Sequence, residues 1–233
     1  LNEVQPTGSI DPGSTLECVE LLTEPAPRAS IIWLHGLGAD GFDFVPVVRE
    51  LQALGAPAAR YVFPHAPLRP VTINGGAVMR AWFDVRGMQI EQREDAAGIR
   101  QSQAQVEALI EREVTRGTPR SRIVLAGFSQ GGAITLQAGL RQREPLAALI
   151  VLSGYLPLAQ SAAAEATAAA RSMPVFMGHG RDDTVVPIGL AQASQAALVA
   201  LGCRVQWHEY AIPHSVSEDE IRDLAGFLGE ALR

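Results

Sequence analysis

The chain has 233 residues, 47% of them hydrophobic and 19% charged, and carries a formal net charge of −6. That is enough apolar chain for one substantial core, so the expectation is one α/β domain over 1–233, with a flexible segment over 1–13. The acidic balance and the lack of any Lys/Arg-rich run argue against nucleic acid or anionic lipid as a partner.

The opening LNEVQPTGSIDPG is polar and turn-rich, with neither a basic n-region nor an apolar h-region. No uncharged apolar run of about 18 residues follows, so no integral membrane association is expected. Cys18 and Cys203 stand apart, without redox or zinc spacing, and read as buried or half-buried thiols of a cytoplasmic protein.

In chain order, short apolar runs recur at TLECVELL (15–22), SIIWLH (30–35), RYVFPH (60–65), RIVLAGF (122–128), LAALIVLSG (146–154), PVFMGHG (174–180) and RVQWHEY (204–210). Most are continuous, which suits strands covered on both faces. The first and last mix polar with apolar positions and suit sheet edges. Helical stretches fall between them at 42–54, 94–116, 130–142, 188–201 and 218–232. The last opens on Ser217 with Glu220 three residues on, a capping-box pattern, and repeats Ile221, Leu224, Ala225, Leu228 and Leu232 at helical spacing. Alternating strands and helices predict a mainly parallel central sheet with helices on both faces. The Ala-rich stretch 159–170 reads as a short helix or surface excursion, and RPVTINGG (69–76) as a connection long enough to be functional.

Gly127-Phe128-Ser129-Gln130-Gly131 matches G-x-S-x-G, a weak signal alone. Its setting strengthens it: an apolar strand precedes it and a helix follows, the strand–turn–helix context of a nucleophile elbow. A serine hydroxyl needs a base, and the elbow predicts a carboxylate and then a histidine later in the chain. His214 lies in the loop AIPHSVS before the capped final helix. GHGRDDTVVP offers Asp182 and Asp183 side by side, of which only one should face the imidazole. His35-Gly36-Leu37-Gly38, at the end of the IIWL strand, would supply one backbone N–H to an oxyanion, with the N–H of Gln130 as the other. His35, His65 and His179 read as structural. His208 and His214 are six apart, the wrong spacing for a zinc-binding helix face, and no metal and no cofactor are expected.

These blocks, in this order, resemble the carboxylesterase and acyl-protein thioesterase family of α/β-hydrolases: WLHGLGAD, FPHAPLRPVTINGG with AWFD, LAGFSQGGA, LSGYLP, HGRDDTVVP and PHSV. The resemblance implies the α/β-hydrolase fold without a large cap, Ser129 as nucleophile, Asp183 as the carboxylate, His214 as base, and Leu37 and Gln130 as oxyanion donors. The RPVTINGG segment looks closer to the bacterial carboxylesterases. The expected activity is hydrolysis of short- to medium-chain carboxylic esters, with lysophospholipase or acyl-protein thioesterase as the alternative and a non-catalytic ligand-binding hydrolase fold as the remote one. The expected partner is a small ester or thioester, and a homodimer is compatible with the sequence. Val71, Ile73, Val78, Met79, Trp82 and Phe83 concentrate apolar side chains where a connection would normally be polar, so they are expected to line the acyl pocket.

Overall fold

Continuous apolar runs become central strands because a strand covered on both faces must be apolar at every position, not at alternate ones. The computed structural model describes residues 16–87 and 94–233, so the segment expected to be flexible, 1–13, lies outside the described residues. Seven strands form the main sheet: β1 (Cys18–Leu22), β2 (Ser30–Leu34), β3 (Arg60–Pro64), β6 (Ile123–Phe128), β7 (Ala148–Leu152), β8 (Pro174–Gly180) and β9 (Arg204–Tyr210). Their spatial order is β1-β3-β2-β6-β7-β8-β9. Only β1 runs antiparallel, pairing with β3. The two mixed-polarity runs are the two edges, as their patterns require.

Alternation within each strand sorts the core into two layers. On one face Ile31, Trp33, Val124, Ala126, Ile150 and Phe176 pack with α1 (Val45–Ala53) and α7 (Glu218–Ala231). On the other, Ile32, Leu34, Leu125, Val151 and Met177 meet α2 (Ala96–Thr115), α3 (Gln130–Gly139) and α6 (Ile188–Ala200). All ten residues of α3 are buried, which explains why its sequence shows no polar face.

Two of three local details depart from the sequence reading. The Ala-rich stretch forms two short helices, α4 (Ala159–Glu165) and α5 (Ala168–Ser172). The capping box is present: Ser217 Oγ accepts from the Glu220 N–H at 3.2 Å, and the Ser217 main-chain N–H in turn donates to the buried Glu220 carboxyl. The connection after β3 is an antiparallel hairpin, β4 (Leu68–Val71) and β5 (Ala77–Arg80), closed by a 3-10 turn over Thr72–Asn74. Gly75 and Gly76, at φ 67° and 79°, supply the left-handed backbone that this turn needs. Among the described residues no helix is long and apolar enough to cross a membrane.

Candidate active site

Parallel strands deliver their following loops to one edge of the sheet, and the expected residues converge there. Ser129 follows β6 directly and sits at φ 54° and ψ −117°, a strained conformation for a residue with a side chain. Two glycines make the turn feasible. A Cβ at Gly127 would run into the Gly131 carbonyl, and one at Gly131 would run into the carbonyls of Leu34 and His35. The Ser129 N–H donates to the Leu152 carbonyl at 2.8 Å, which anchors the turn to the neighbouring strand.

Asp183 follows β8 and His214 follows β9. Main-chain bonds zip their two loops together beyond the strand ends: Arg181 N–H to the Tyr210 carbonyl at 2.8 Å and Asp182 N–H to the Ile212 carbonyl at 3.2 Å. Gly180 permits this approach, since a Cβ there would strike the Ile212 and Pro213 carbonyls. The outcome is a hydrogen-bonded line. Asp183 Oδ2 lies 2.6 Å from His214 Nδ1, and His214 Nε2 lies 2.9 Å from Ser129 Oγ. Asp183 Oδ1 accepts from the N–H groups of Val185 and Val186, each at 2.8 Å, so one carboxylate oxygen orients the loop and the other faces the ring. With Nδ1–H donating to the carboxylate, Nε2 is left as the acceptor for the serine hydroxyl. Asp183 is buried, whereas the adjacent Asp182 is exposed. His179 donates from Nε2 to the Val186 carbonyl at 2.8 Å, and its burial pushes its pKa down.

The HGLG loop passes over the elbow. His35 Nε2 accepts from the Ala66 N–H at 3.0 Å, so Nδ1 carries the proton and donates to the Gly36 carbonyl at 2.7 Å. Burial lowers the His35 pKa to about 4, which keeps the ring neutral. The Gly38 N–H donates to the Arg80 carbonyl at 2.9 Å, tying this loop to the hairpin. The N–H groups of Leu37 and Gln130 have no acceptor among the described residues, and the Gln130 amide stands at the first turn of α3, where the helix dipole favours negative charge.

A groove of about 490 Å³ holds Ser129 and is lined by Leu37, Ile73, Phe83, Tyr155 and the stretch 184–187. Of the residues expected in the pocket, Ile73 and Phe83 line it. Val71 and Trp82 do not: both are fully buried, Val71 at the end of β4 and Trp82 beyond β5, where bonds to His35 and Gln130 hold it. Met79 is half-buried and accepts from Asn74 Nδ2 at 3.3 Å, while Val78 is two-thirds exposed on the outer surface of the hairpin. Sequence reasoning missed Tyr155 and the Thr184–Pro187 stretch. Their position within LSGYLP and HGRDDTVVP was the available signal, since loops after neighbouring parallel strands share one rim. A larger hollow, about 650 Å³, opens near the starts of β7, β8 and β9 and contains none of these groups.

Comparison with known proteins gives the family. The phospholipase/carboxylesterase family pattern matches residues 19–232, and the chain belongs to that family. It is thereby an enzyme of the carboxylic-ester and thioester hydrolase class. It is 35% identical to acyl-protein thioesterase 1 of Cryptococcus neoformans, over 94% of this chain and 99% of that one. It is 37% identical to acyl-protein thioesterase 1 of Mycosarcoma maydis, over 88% and 92%. The crystal structure of Arabidopsis thaliana SOBER1 superposes with a TM-score of 0.82 at 32% identity, covering 88% of this chain and 99% of that one. A Bacillus cereus carboxylesterase matches at 16% identity and bears on the fold alone.

Proposed function

We propose that the protein hydrolyses acyl thioesters and carboxylic esters through an acyl-enzyme on Ser129, with the acyl chain in the groove. The observation that carries this reading is the hydrogen-bonded line from Asp183 through His214 to Ser129 at the groove's end. In it, Ser129 Oγ attacks the acyl carbonyl carbon while His214 Nε2 takes the hydroxyl proton. Asp183 holds the ring's tautomer and offsets the imidazolium charge. The oxyanion accepts from the N–H groups of Leu37 and Gln130, which have no other acceptor among the described residues. Collapse breaks the carbonyl–sulfur or carbonyl–oxygen bond, and the leaving group takes the proton from His214. Water then enters, gives its proton to His214, and releases the carboxylic acid from Ser129 as the serine is reprotonated.

Each buried methylene of the acyl chain should contribute up to about 0.8 kcal/mol until the groove is full, which favours short to medium chains. The names of the fungal relatives support the thioester of an acylated protein as the leading substrate class, ahead of the small-ester reading that the RPVTINGG segment suggested. Initial rates on S-octanoyl peptide, p-nitrophenyl octanoate and an octanoyl lysophospholipid would separate the three. The reading expects the thioester to be cleaved with the highest kcat/KM and all cleavage to vanish in Ser129→Ala. A Ser129→Ala protein that keeps its rate would defeat it.

A further inference from the structure

Trp82 offers the largest apolar face in its segment, yet it makes no groove surface: it is fully buried and has hydrogen bonds from three of its groups. Its indole Nε1–H donates to the His35 carbonyl at 2.9 Å. Its main-chain N–H donates to Gln130 Oε1 at 2.7 Å, and the same Gln130 side chain returns from Nε2 to the Phe83 carbonyl at 2.8 Å. Its own carbonyl accepts from Ser102 Oγ on α2, which fixes the segment to the core. One residue thus grips two separate parts of the chain, the loop after β2 and the first residue of α3.

Those are the parts that carry the two amides with no acceptor among the described residues. A peptide unit is planar, so the direction of the Gly36 carbonyl fixes the direction of the Leu37 N–H on the opposite side of the same plane. The His35 ring holds that carbonyl through Nδ1–H, and the ring itself lies 5.4 Å from the Trp82 ring between centroids. We infer that Trp82 is a positioning residue for the oxyanion site, bracing the Leu37 amide by way of His35 and the Gln130 amide by way of that residue's side chain. The inference rests on the acyl-transfer reading above. It differs from a role in the acyl wall, which would make the effect of Trp82 depend on chain length, and from simple packing, which would move stability without moving the chemical step.

Two variants of the full chain cut the two arms. Trp82→Phe keeps a buried ring and removes the indole donor, and Gln130→Ala removes the side-chain tie while leaving the backbone N–H. Measured quantities are kcat and KM for p-nitrophenyl acetate and octanoate, the Ki of an alkyl trifluoromethyl ketone, whose adduct on a serine places an oxyanion in the site, and fluorophosphonate labelling of Ser129. Each variant should lose about 10- to 100-fold in kcat, by the same factor for both esters and with KM within about twofold, since a misplaced donor acts on the transition state. The ketone Ki should rise by the factor lost in kcat/KM. Ile99→Val, in the same core cluster, should lower the thermal midpoint without moving kcat. A folded Trp82→Phe with kcat within about threefold of wild type, or with a changed octanoate-to-acetate ratio, overturns the inference. Should Trp82→Phe fail to fold, Gln130→Ala decides by the same criteria. A wild-type protein unlabelled at Ser129 would instead bring down the acyl-transfer reading, which the labelling arm registers separately.

Discussion

The two sides of the groove are held by different means. On the side of Asp183 and His214, main-chain bonds between the loops after β8 and β9 do most of the holding, with Gly180 permitting the approach and Asp183 Oδ1 fixing its own loop. On the hairpin side, side-chain bonds reinforce the main-chain ones. Asp84 accepts from the Thr72 N–H and hydroxyl, both at 2.7 Å, and Arg86 reaches Asp84 at 3.4 Å and Asp95 at 3.0 Å. Arg80 donates to the Ala66 carbonyl at 2.9 Å. Asp84 is thereby held below the usual carboxylate range: its limited burial opposes this, but the Thr72 and Arg86 contacts outweigh it. On the proposed reading, the base and its carboxylate sit on the first side, and the second side holds the turn that presents Ile73 to the groove.

Breaking the first side should cost most. Ser129→Ala should reduce kcat on octanoyl substrates by several decades, to a level of about 10⁻⁴ or below, in a protein with unchanged circular dichroism. Next comes the aspartate pair. Asp183→Asn should lower kcat by up to about 10⁴, whereas Asp182→Asn should leave it within about tenfold, because only Asp183 meets the ring. Equal effects would reassign the carboxylate.

The hairpin side should respond more mildly and with chain-length dependence. Thr72→Val removes one donor to Asp84 and loosens the turn that presents Ile73 to the groove. Its kcat/KM for octanoate should fall by about three- to tenfold, the scale of one hydrogen bond, with acetate unchanged. A parallel loss on both esters would mean that the clamp serves the chemistry as well.

The smallest effect lies away from the groove, under β8. Burial raises the Glu220 carboxyl to about 8 against the opposing Ser217 main-chain hydrogen bond, and nearby Asp223 adds to the rise. The folded chain therefore keeps that proton up to about pH 8, while the unfolded chain releases it near its ordinary value of 4.5. Stability is complete below the unfolded value, falls as pH rises between the two, and levels off above. Glu220→Gln, which imitates the protonated acid, should be about 1–3 kcal/mol more stable than wild type at pH 8 and nearly equal at pH 4.5, by urea denaturation at each pH. A gap that does not grow with pH would show that the carboxyl is not protonated in the fold.

The same contrast explains what was legible in the sequence. Gly127 and Gly131 are dictated by local backbone collisions, so the elbow can be read from five residues. The two mixed-polarity runs announced the edges, and the capped amphipathic run over 218–232 became α7 almost residue for residue. Asp182 and Asp183 could not be separated by spacing alone, because which carboxylate turns inward depends on the Val185 and Val186 N–H groups that hold it. The hairpin was harder still. Apolar composition over Val71–Phe83 shows that something is buried, but the face each side chain takes is set by partners far along the chain, His35 and Gln130 among them. Trp82 was therefore expected in the groove and is fully buried instead.

The central claim is that Ser129 carries the acyl group between two half-reactions, and trapping that adduct tests it most directly. Wild-type protein mixed with excess S-octanoyl thioester, quenched in acid within the first turnovers and digested, should yield the peptide containing Ser129 with an octanoyl mass increment, absent from Ser129→Ala. Turnover of the thioester with the increment missing from Ser129, or carried by another residue, would contradict the account.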